Sequence, residues 1–261
     1  MAKKFYVVWQ GRTPGIYTDW NSCKNQVDKF AGAKYKSFSS KAEAEAAYSG
    51  SLSPVSSKST KATSSAPKRA ASSKAPSVKT YTAAEIAKMP IEVKIYTDGG
   101  CDPNPGKAGS GLAVYRNDKI FELWYGLYNP MGTNNTAELN ALHQALMMAK
   151  TESDLGRSVA IFCDSKYSIQ CVTQWAIGWQ KKGWKKSGGE IKNLELIKEM
   201  FALYQLLKDK IQVLHVNGHV GVEGNELADR MSILAIDEKP ADFVNYTSVI
   251  DIPQILSMRQ G

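Results

Sequence analysis

Alternating apolar and polar residues predict three strands in the middle of the chain. The alternation runs through residues 92–98, 109–115 and 120–128, and Gly and Asn residues separate these segments. A period of two is typical of half-buried strands, and Gly and Asn favour the turns between them. The pattern therefore predicts an antiparallel meander.

The period changes to a helical one after the third strand. The segment "TNNTAELNALHQALMMAK" places Leu139, Leu142, Leu146 and Ala149 along one helical face. The apolar run at residues 159–163 predicts a strand, and a helix is expected to begin after Asp164. Further along the chain, the pattern predicts the helix "KNLELIKEMFALYQLLKDK", the strand "IQVLHVNGH" and the helix "EGNELADRMSILAI". This order indicates the α/β class, with a mixed sheet and helices on its faces.

A second, smaller folded unit is predicted at residues 1–48. The segments "KFYVVWQG" and "GIYTDW" alternate as a hairpin around "GRTPG". Asp19 or Asn21 is suited to cap a helix that runs through Val27, and "KYKSF" predicts a third strand before a final helix. The small unit therefore has α+β character.

Residues 49–90 are predicted to be a flexible basic linker between the two units. The part from Ser49 to Thr80 is rich in Ser, Ala, Lys and Pro and contains no acidic or aromatic residue. Such a segment buries too little apolar surface to offset the entropy lost on ordering. The "TAAEIAKMP" that follows is expected to form a helical turn before Pro90.

These boundaries leave residues 91–238 as the larger domain and residues 239–261 as a tail. The tail segment "DFVNYTSVIDIPQILSMRQG" has apolar character. It is suited either to packing on the larger domain or to binding a partner, and the sequence does not decide between them.

Composition places the protein among ordinary globular chains. The apolar fraction is 43%, no run of eighteen apolar residues occurs, and the first residues, "MAKKFYVVWQ", do not resemble a secretory signal. The four cysteines show no C-x-x-C pairing, so the sequence indicates neither a zinc site nor a disulfide framework. A cytoplasmic location is therefore expected.

Positive charge is concentrated at the beginning of the chain. The net charge is +4 over residues 1–50 and +6 over residues 51–90, but −2 over residues 91–238. A polyanion such as nucleic acid is one expected partner, because counterion release favours such binding. A tail that serves solubility is the alternative.

Four carboxylates are placed where the predicted fold brings them together. Asp98 ends the first strand, Asp164 follows the fourth, Glu138 lies in the first long helix, and Asp229 lies in the last helix. Like charges at one sheet edge repel unless a hard divalent cation with oxygen ligands, above all Mg²⁺, lies between them. The glycines after Asp98 are interpreted as leaving room for a bulky group beside that cation.

Several motifs together resemble type 1 ribonuclease H over residues 91 to about 238. They are "YTDGGCDPNPGKAGSG", "TNNTAEL", "CDSKY", "QWAIGWQKKGWKKSGGEIKN" and "NGHVGVEGNELAD". The resemblance implies a ribonuclease H-like mixed five-stranded sheet with flanking helices. It also implies that Asp98, Glu138, Asp164 and Asp229 bind metal and that His219 is a mobile catalytic residue.

The activity implied by this resemblance is endonucleolytic hydrolysis of the RNA strand of RNA/DNA hybrids. Two Mg²⁺ ions, with Mn²⁺ as the alternative, would activate a water and stabilise the leaving 3′ oxygen. The products would carry 5′-phosphate and 3′-hydroxyl ends. The catalytic domain is expected to be a monomer without membrane association.

The same resemblance implies a substrate-binding surface on the larger domain. Residues at the positions for minor-groove, DNA-phosphate and basic-protrusion contacts are Asn104, Thr133, Asn134, Asn135, Asn193, Trp175, Trp179, Lys181, Lys182 and Lys185. Met131 stands where some relatives place an arginine, which predicts a weaker phosphate pocket. Tryptophans at helical spacing are also typical of a core, and this alternative applies above all to Trp175.

Residues 1–48 resemble the hybrid-binding domain that precedes many type 1 ribonucleases H. By that resemblance Tyr6, Trp20 and Tyr35 stack on the hybrid, and Lys36 contacts phosphates. Ser37 replaces a lysine that is common in relatives. For Trp20, a place in the core of so small a fold is the alternative.

Two other functions compete with this interpretation. A DNA-cutting nuclease with the same core, such as a resolvase or transposase, would share the carboxylates at the strand ends. A non-catalytic binding protein would be expected to have lost some of Asp98, Glu138, Asp164 and Asp229, all of which are present.

Overall fold

The computed structural model describes residues 4–28, 30, 32–38, 40–49, 78–218 and 221–261. These residues belong to two compact units, within Met1–Ser72 and Ser73–Gly261, and each unit is described by itself. Within the described part of the chain, no helix has both the length and the apolar character needed to cross a bilayer.

The N-terminal unit is a three-stranded antiparallel sheet with two helices. Its elements are β1 (Phe5–Gln10), β2 (Gly15–Tyr17), α1 (Trp20–Val27), β3 (Lys34–Phe38) and α2 (Lys41–Ser49), and its strand order is β2-β1-β3. Asp19 caps α1, because its Oδ1 accepts a hydrogen bond from Ser22 N at 2.8 Å. The predicted elements are confirmed, and Asp19 rather than Asn21 is the cap.

The larger unit carries the remaining elements. They are β4 (Thr80–Tyr81), α3 (Ala83–Ile86), β5 (Val93–Asp102), β6 (Gly106–Arg116), β7 (Lys119–Gly132), α4 (Asn134–Asp154), β8 (Val159–Cys163), α5 (Lys166–Gln170), a π-helical turn (Cys171–Trp175), α6 (Ala176–Lys181), α7 (Leu194–Leu207), β9 (Ile211–Val216), α8 (Glu223–Glu238), β10 (Val244–Asn245) and α9 (Ile252–Leu256).

These strands form one mixed sheet in the order β10-β7-β6-β5-β8-β9-β4. The strands β5, β6 and β7 are antiparallel, whereas β8 is parallel to both β5 and β9. The predicted mixed sheet with flanking helices is confirmed for its five longer strands. The strands β4 and β10 lengthen its two edges, and two residues each are too few to show a period.

The last part of the predicted linker lies in the larger unit. Thr80 pairs with His215 across β4 and β9. Thr82 and Glu85 form a reciprocal capping box at the start of α3, and Ile86 is buried. The helical turn predicted before Pro90 is thus confirmed as α3, while residues 50–77 of the predicted linker lie outside the described residues.

The tail packs on the larger unit. Val244 of β10 pairs with Tyr125 of β7, and Tyr246 N donates a hydrogen bond to Leu123 O at 2.8 Å. Ile255 of α9 is 1% exposed and joins the apolar cluster that includes Leu227. Of the two alternatives for the tail, packing on the larger domain is therefore the one observed.

Each face of the large sheet buries its own apolar layer. Ile95 and Ile161 point to the side covered by α4 and α7, where they pack with residues such as Leu142. Tyr96 and Phe162 point to the opposite side, under α8, with their ring centroids 4.9 Å apart. Each large apolar side chain buried in these layers contributes about 1.5–3 kcal/mol.

Gly99, which follows Asp98 in β5, allows a helix to approach the sheet closely. A Cβ added at Gly99 would overlap the backbone of Ala137 and Glu138 in α4. A Cβ added at Gly111 of β6 would overlap the Ala228 carbonyl oxygen of α8 in the same way. Gly99 therefore serves helix packing, which differs from the predicted role of leaving room beside a cation.

Replacing Gly99 by alanine tests this packing. Gly99→Ala is expected to lower the free energy of unfolding by about 1–3 kcal/mol or more, because α4 must move away from β5. Urea denaturation would measure the change. Gly188→Ala is the control, since a Cβ there meets nothing within 4 Å. Equal stability of the two variants would contradict the close-packing explanation.

Candidate active site

Four carboxylates line one pocket of about 440 Å³ at the edge of the large sheet. Asp98 lies within β5, which continues to Asp102 and does not end at Asp98 as predicted. Asp164 directly follows β8, and the parallel register that pairs Thr97 with Cys163 sets the two aspartates side by side. Glu138 of α4 and Asp229 of α8 enter the pocket from the two covering helices. The convergence expected of these residues is observed.

Three of these carboxylates are almost withdrawn from solvent. Asp98 is 8% exposed, Glu138 6% and Asp229 3%. Burial raises the pKa of Asp98 well above its usual value, and the charges of Asp164 and Asp229 raise it further. Burial likewise raises the pKa of Glu138, with added contributions from Asp98 and Asp164.

The pocket fits a divalent cation. Glu138 Oε2 is buried and has no hydrogen-bond partner among the described residues. Buried carboxylates without partners are costly, whereas hard cations such as Mg²⁺ take carboxylate oxygens as ligands. The donor set of this pocket is therefore suited to such an ion.

Cys163 is a neighbour of the site that the sequence reasoning missed. Its Sγ and one carboxylate oxygen each from Glu138 and Asp164 lie within 4.8 Å of one another. Burial raises the pKa of the thiol, and the two carboxylates raise it further, so the neutral thiol is favoured. Hard cations prefer the oxygens to a neutral thiol. All four cysteines lie in described residues and are free thiols.

Polar side chains hold two of the carboxylates in place. Ser232 Oγ donates to Asp98 Oδ2 at 3.2 Å, and Asn225 Nδ2 donates to Asp164 Oδ2 at 3.3 Å. Neither residue was predicted, although Asn225, Asp229 and Ser232 share one face of α8. A helical projection of that segment could have found them.

His215 supports the backbone of Asp164. Its Nε2 lies 3.0 Å from Asp164 O, and its Nδ1 lies 2.8 Å from Thr80 Oγ1. Because a carbonyl only accepts, Nε2 carries the proton and Nδ1 accepts from the threonine hydroxyl. Burial lowers the pKa of His215, which favours this neutral form. No sequence signal distinguished this histidine from an ordinary core residue.

Asp229 is bonded by groups from its own helix and from the tail. Arg230 Nη1 donates to Asp229 Oδ2. Gly261 N donates to Asp229 Oδ1 at 3.1 Å, and Arg259, Gln260 and Gly261 line the pocket. These tail contacts were not predicted, because nothing local in the sequence connects the tail with the carboxylates.

His219 lies outside the described residues, so its predicted role stays a prediction. The described residue Gly218 precedes it and closely approaches the pocket. A Cβ added at Gly218 would lie 2.6 Å from Asp164 Oδ2. The residue that precedes His219 in the chain therefore lies beside the Asp164 carboxylate.

One of the three predicted asparagines lines the carboxylate pocket, and a second is bonded to it. Asn134 lines the pocket, and its backbone N donates to Asn104 Oδ1 at 3.3 Å. Asn135 lies one residue further along α4 and lines an adjoining groove. The structure thus places Asn104 and Asn134 in contact with each other.

Thr133 and Asn193 are joined through a residue that was not predicted. Thr133 Oγ1 caps α4 by accepting from Thr136 N at 3.3 Å. Thr136 Oγ1 in turn donates to Asn193 Oδ1 at 3.1 Å. Met131, at the position where an arginine was expected from the resemblance, is 74% exposed.

The tryptophan-rich segment forms one side of a groove of about 530 Å³. Trp175 and Trp179 line it with Asn135 and Lys186, and the two tryptophan ring centroids are 5.9 Å apart. Trp175 is 36% exposed, so the core alternative does not hold for it. The remaining predicted lysines of this segment, Lys181, Lys182 and Lys185, are exposed.

Three aromatic rings lie side by side on the N-terminal unit, and one of them, Tyr6, is half-buried against its small core. The Trp20 ring lies 5.5 Å from the Tyr6 ring and 5.9 Å from the Tyr35 ring, centroid to centroid. Trp20 is 42% exposed and Tyr35 is 47% exposed. The core alternative therefore does not hold for Trp20.

Lys36 lies on the other face of the small sheet. In the register of β1 with β3, Tyr35 pairs with Val8 and Lys36 with Val7, so their side chains point to opposite faces. Lys36 Nζ lies 5.7 Å from the ring centroid of Phe38, two residues along the same face. Lys36 is exposed on an edge strand but does not share the surface of the three aromatics.

Two family models match the chain. The model described as RNase H matches residues 90–236. The model described as Ribonuclease H1 N-terminal domain matches residues 4–48.

Relatives of known identity match one or both units. Ribonuclease H1 of Mus musculus is 34% identical over 254 residues, covering 87% of this chain and 87% of the mouse protein. Ribonuclease H of Pseudomonas putida (strain W619) is 36% identical, covering 58% of this chain and 97% of that protein. The crystal structure of LC9-RNase H1 aligns with a TM-score of 0.50 at 23% identity, covering 66% of this chain and 88% of that one. This alignment supports the fold described above for the larger unit.

Neutralising one buried carboxylate is expected to stabilise the metal-free protein. The pKa of Asp98 is higher in the folded than in the unfolded protein, where it is about 3.9, so the folded state binds the proton more tightly. Protonated Asp98 therefore stabilises the fold below pH about 3.9, and this contribution is lost as the pH rises through the pKa of the folded state. At neutral pH, Asp98→Asn should therefore raise stability in EDTA by about 1 kcal/mol, or about 2–4 °C in Tm.

Thermal unfolding from pH 4 to pH 8 would measure this effect. The wild type in EDTA should lose stability as pH rises, and Asp98→Asn should reduce that loss. Asp154→Asn, at an exposed residue of α4, is the control. A variant Asp98→Asn that is less stable than the wild type at neutral pH in EDTA would contradict the repulsion argument.

Proposed function

Because this chain belongs to the ribonuclease H1 family, we propose that it is an endonuclease that hydrolyses the RNA strand of RNA/DNA hybrids by two-metal-ion catalysis. The observation that carries the proposal is the convergence of Asp98, Glu138, Asp164 and Asp229 in one pocket. The match over 87% of this chain and of the mouse enzyme extends to both units, which supports a hybrid as substrate.

The four carboxylates are the proposed metal ligands. Asp98 is acted on by the charges of both Asp164 and Asp229, whereas Glu138 is acted on by Asp98 and Asp164. Asp98 would therefore be the central member of the set, and Glu138, Asp164 and Asp229 would complete the group that holds the ions. Bound Mg²⁺ or Mn²⁺ would supply activation of water and charge stabilisation at the leaving 3′ oxygen.

The remaining groups of the site orient these ligands. Ser232 holds Asp98, Asn225 holds the Asp164 carboxylate, and His215 holds the Asp164 carbonyl. His219, which follows Gly218 in the chain, is proposed to move a proton or to assist product release. Attack of water on the scissile phosphate would leave 5′-phosphate and 3′-hydroxyl ends.

Discrimination of RNA from DNA is assigned to polar groups beside the pocket. The amides of Asn104, Asn134 and Asn135 both donate and accept, as recognition of a 2′-hydroxyl requires. Thr133 and Asn193, connected through Thr136, are proposed to bind a phosphate of the DNA strand. Trp175 and Trp179 with the neighbouring lysines are proposed to follow the backbone in the adjoining groove.

The N-terminal unit is proposed to hold the hybrid for the catalytic unit. Trp20 and Tyr35 offer exposed rings for stacking and Tyr6 a half-buried one, while Lys36 on the edge strand reaches phosphates from the other face. The basic linker is proposed to act as a tether. Tethering raises the effective concentration of one site for the other to about the millimolar range.

Substitution of one proposed ligand tests the catalytic site. Asp164→Asn should lower Mg²⁺-dependent cleavage of a hybrid by more than about 100-fold, since even partners of metal ligands contribute 10–100-fold. Binding of the hybrid should remain within a few-fold of the wild type. Retained Mg²⁺-dependent activity would refute the assignment of Asp164.

A panel of labelled duplexes separates the rival functions in the same assay. The proposal expects cleavage of the RNA strand in an RNA/DNA hybrid and no cleavage of RNA or DNA duplexes. Cleavage of the DNA duplex would favour a DNA-cutting nuclease, and binding without any cleavage would favour a non-catalytic protein. Asp154→Asn is the matched control, because its carboxylate lies at the exposed end of α4.

Deletion of residues 1–48 tests the tether. The truncated chain should bind the hybrid at least about 10-fold more weakly and cleave fewer sites per encounter, because the second contact is lost. Its single-turnover cleavage rate at saturating enzyme should change much less. Unchanged affinity and run length at moderate salt would show that the N-terminal unit does not act as proposed.

A further inference from the structure

The tail reaches the carboxylate pocket and bonds one of its members. Gly261 N donates to Asp229 Oδ1 at 3.1 Å and lies 3.4 Å from Oδ2. Residues 259–261, called the closing segment below, form one wall of the pocket. Neither the fold class nor the carboxylate set requires this contact.

The closing segment is held in place by buried structure. Arg230 is 3% exposed and donates to Leu256 O through Nε at 3.4 Å and Nη2 at 3.2 Å. The same guanidinium bonds Asp229 through Nη1. Leu256 ends α9, which Ile255 anchors in the apolar layer beneath α8. One arginine therefore connects α9 to the carboxylate that the closing segment contacts.

Two ion pairs of Arg259 connect the segment to two elements of the larger unit. Arg259 Nη2 donates to Asp237 Oδ1 at 2.9 Å, and Arg259 Nη1 lies 3.5 Å from Asp102 Oδ2. Asp237 belongs to α8 and Asp102 to the end of β5, so the segment spans the two elements that carry Asp229 and Asp98.

We propose that the backbone N–H of Gly261 positions Asp229 for metal binding. This inference rests on the proposed function, because it concerns the ion that Asp229 would hold. Hydrogen-bonded partners orient ligating carboxylates, and their loss typically costs 10–100-fold in metal affinity or activity. A carboxylate offers about four lone-pair sites, so the bonds from Gly261 and Arg230 leave room for a cation.

The opposite interpretation is that the closing segment competes with the cation for Asp229. Such competition would weaken metal binding when the segment is docked, and removal of the segment would strengthen it. The two interpretations therefore predict changes of opposite sign in the same measurement.

The test is a Mn²⁺ titration of the metal-free full-length chain, followed by electron paramagnetic resonance. Deletion of residues 259–261 should lower the affinity for one of the two bound Mn²⁺ ions by about 10–100-fold and leave the affinity for the other unchanged. Asp229→Asn identifies which ion depends on Asp229, and the same ion should be affected. Affinities within twofold of the wild type, or tighter binding, would overturn the proposal.

Gly261→Pro is the second variant, because it removes the N–H without shortening the chain. It should lower the affinity for the same Mn²⁺ ion. If the deletion lowers Tm substantially, Gly261→Pro is the variant that tests the role of the Gly261 N–H. Ser257→Ala is the control within the tail, since its hydroxyl bonds Gln254 O away from the pocket. Loss of affinity in Ser257→Ala equal to that in Gly261→Pro would contradict a specific role for Gly261.

Kinetics separate this proposal from the proposed function. In the deletion variant, hybrid cleavage should be low at limiting Mn²⁺ and should recover as Mn²⁺ is raised, with an unchanged KM for the hybrid. If the wild type bound two ions but cleaved no hybrid, the proposed function would fail while the titration still decided the role of Gly261. If the wild type cleaved hybrids and the titrations did not differ, only the positioning role would fail.

Discussion

Electrostatic repulsion among buried carboxylates is the constraint on which the site depends. The parallel pairing of β5 with β8 sets Asp98 beside Asp164, and two helices add Glu138 and Asp229 from opposite faces of the sheet. Burial and mutual repulsion raise the pKa of Asp98 and of Glu138. The apolar layers on both faces of the sheet supply the free energy that keeps these like charges together, and a cation relieves the strain they impose.

The groups around the carboxylates show how a rigid scaffold can hold such a site open for metal. Each of Asp98, Asp164 and Asp229 accepts a hydrogen bond from α8 or from the tail. Gly99 brings α4 close enough for Glu138 to enter the same pocket. These hydrogen bonds orient the ligands, which reduces the reorganisation that metal binding would otherwise require.

Polar and aromatic surfaces suited to nucleic acid occur on both units. On the larger unit, Asn134 lines the pocket, and Asn135 lines the adjoining groove with Trp175 and Trp179. On the N-terminal unit, Trp20 lies between Tyr6 and Tyr35 on an exposed face. Under the proposed function, this separation of binding from cutting would let contact with the substrate persist while the catalytic unit samples positions along it.

The sequence by itself indicated the longer strands and helices and the four carboxylates, because strand and helix periods are local. The predicted end of the first strand at Asp98 was wrong, but the pairing of β5 with β8 still sets Asp98 beside Asp164. The sequence could not determine contacts between distant segments. Tertiary structure decided that Gly99 serves α4, that Lys36 of the edge strand faces away from Tyr35, and that Gly261 bonds Asp229. It also added β4 and β10, whose two residues show no period and are held only by pairing with longer strands.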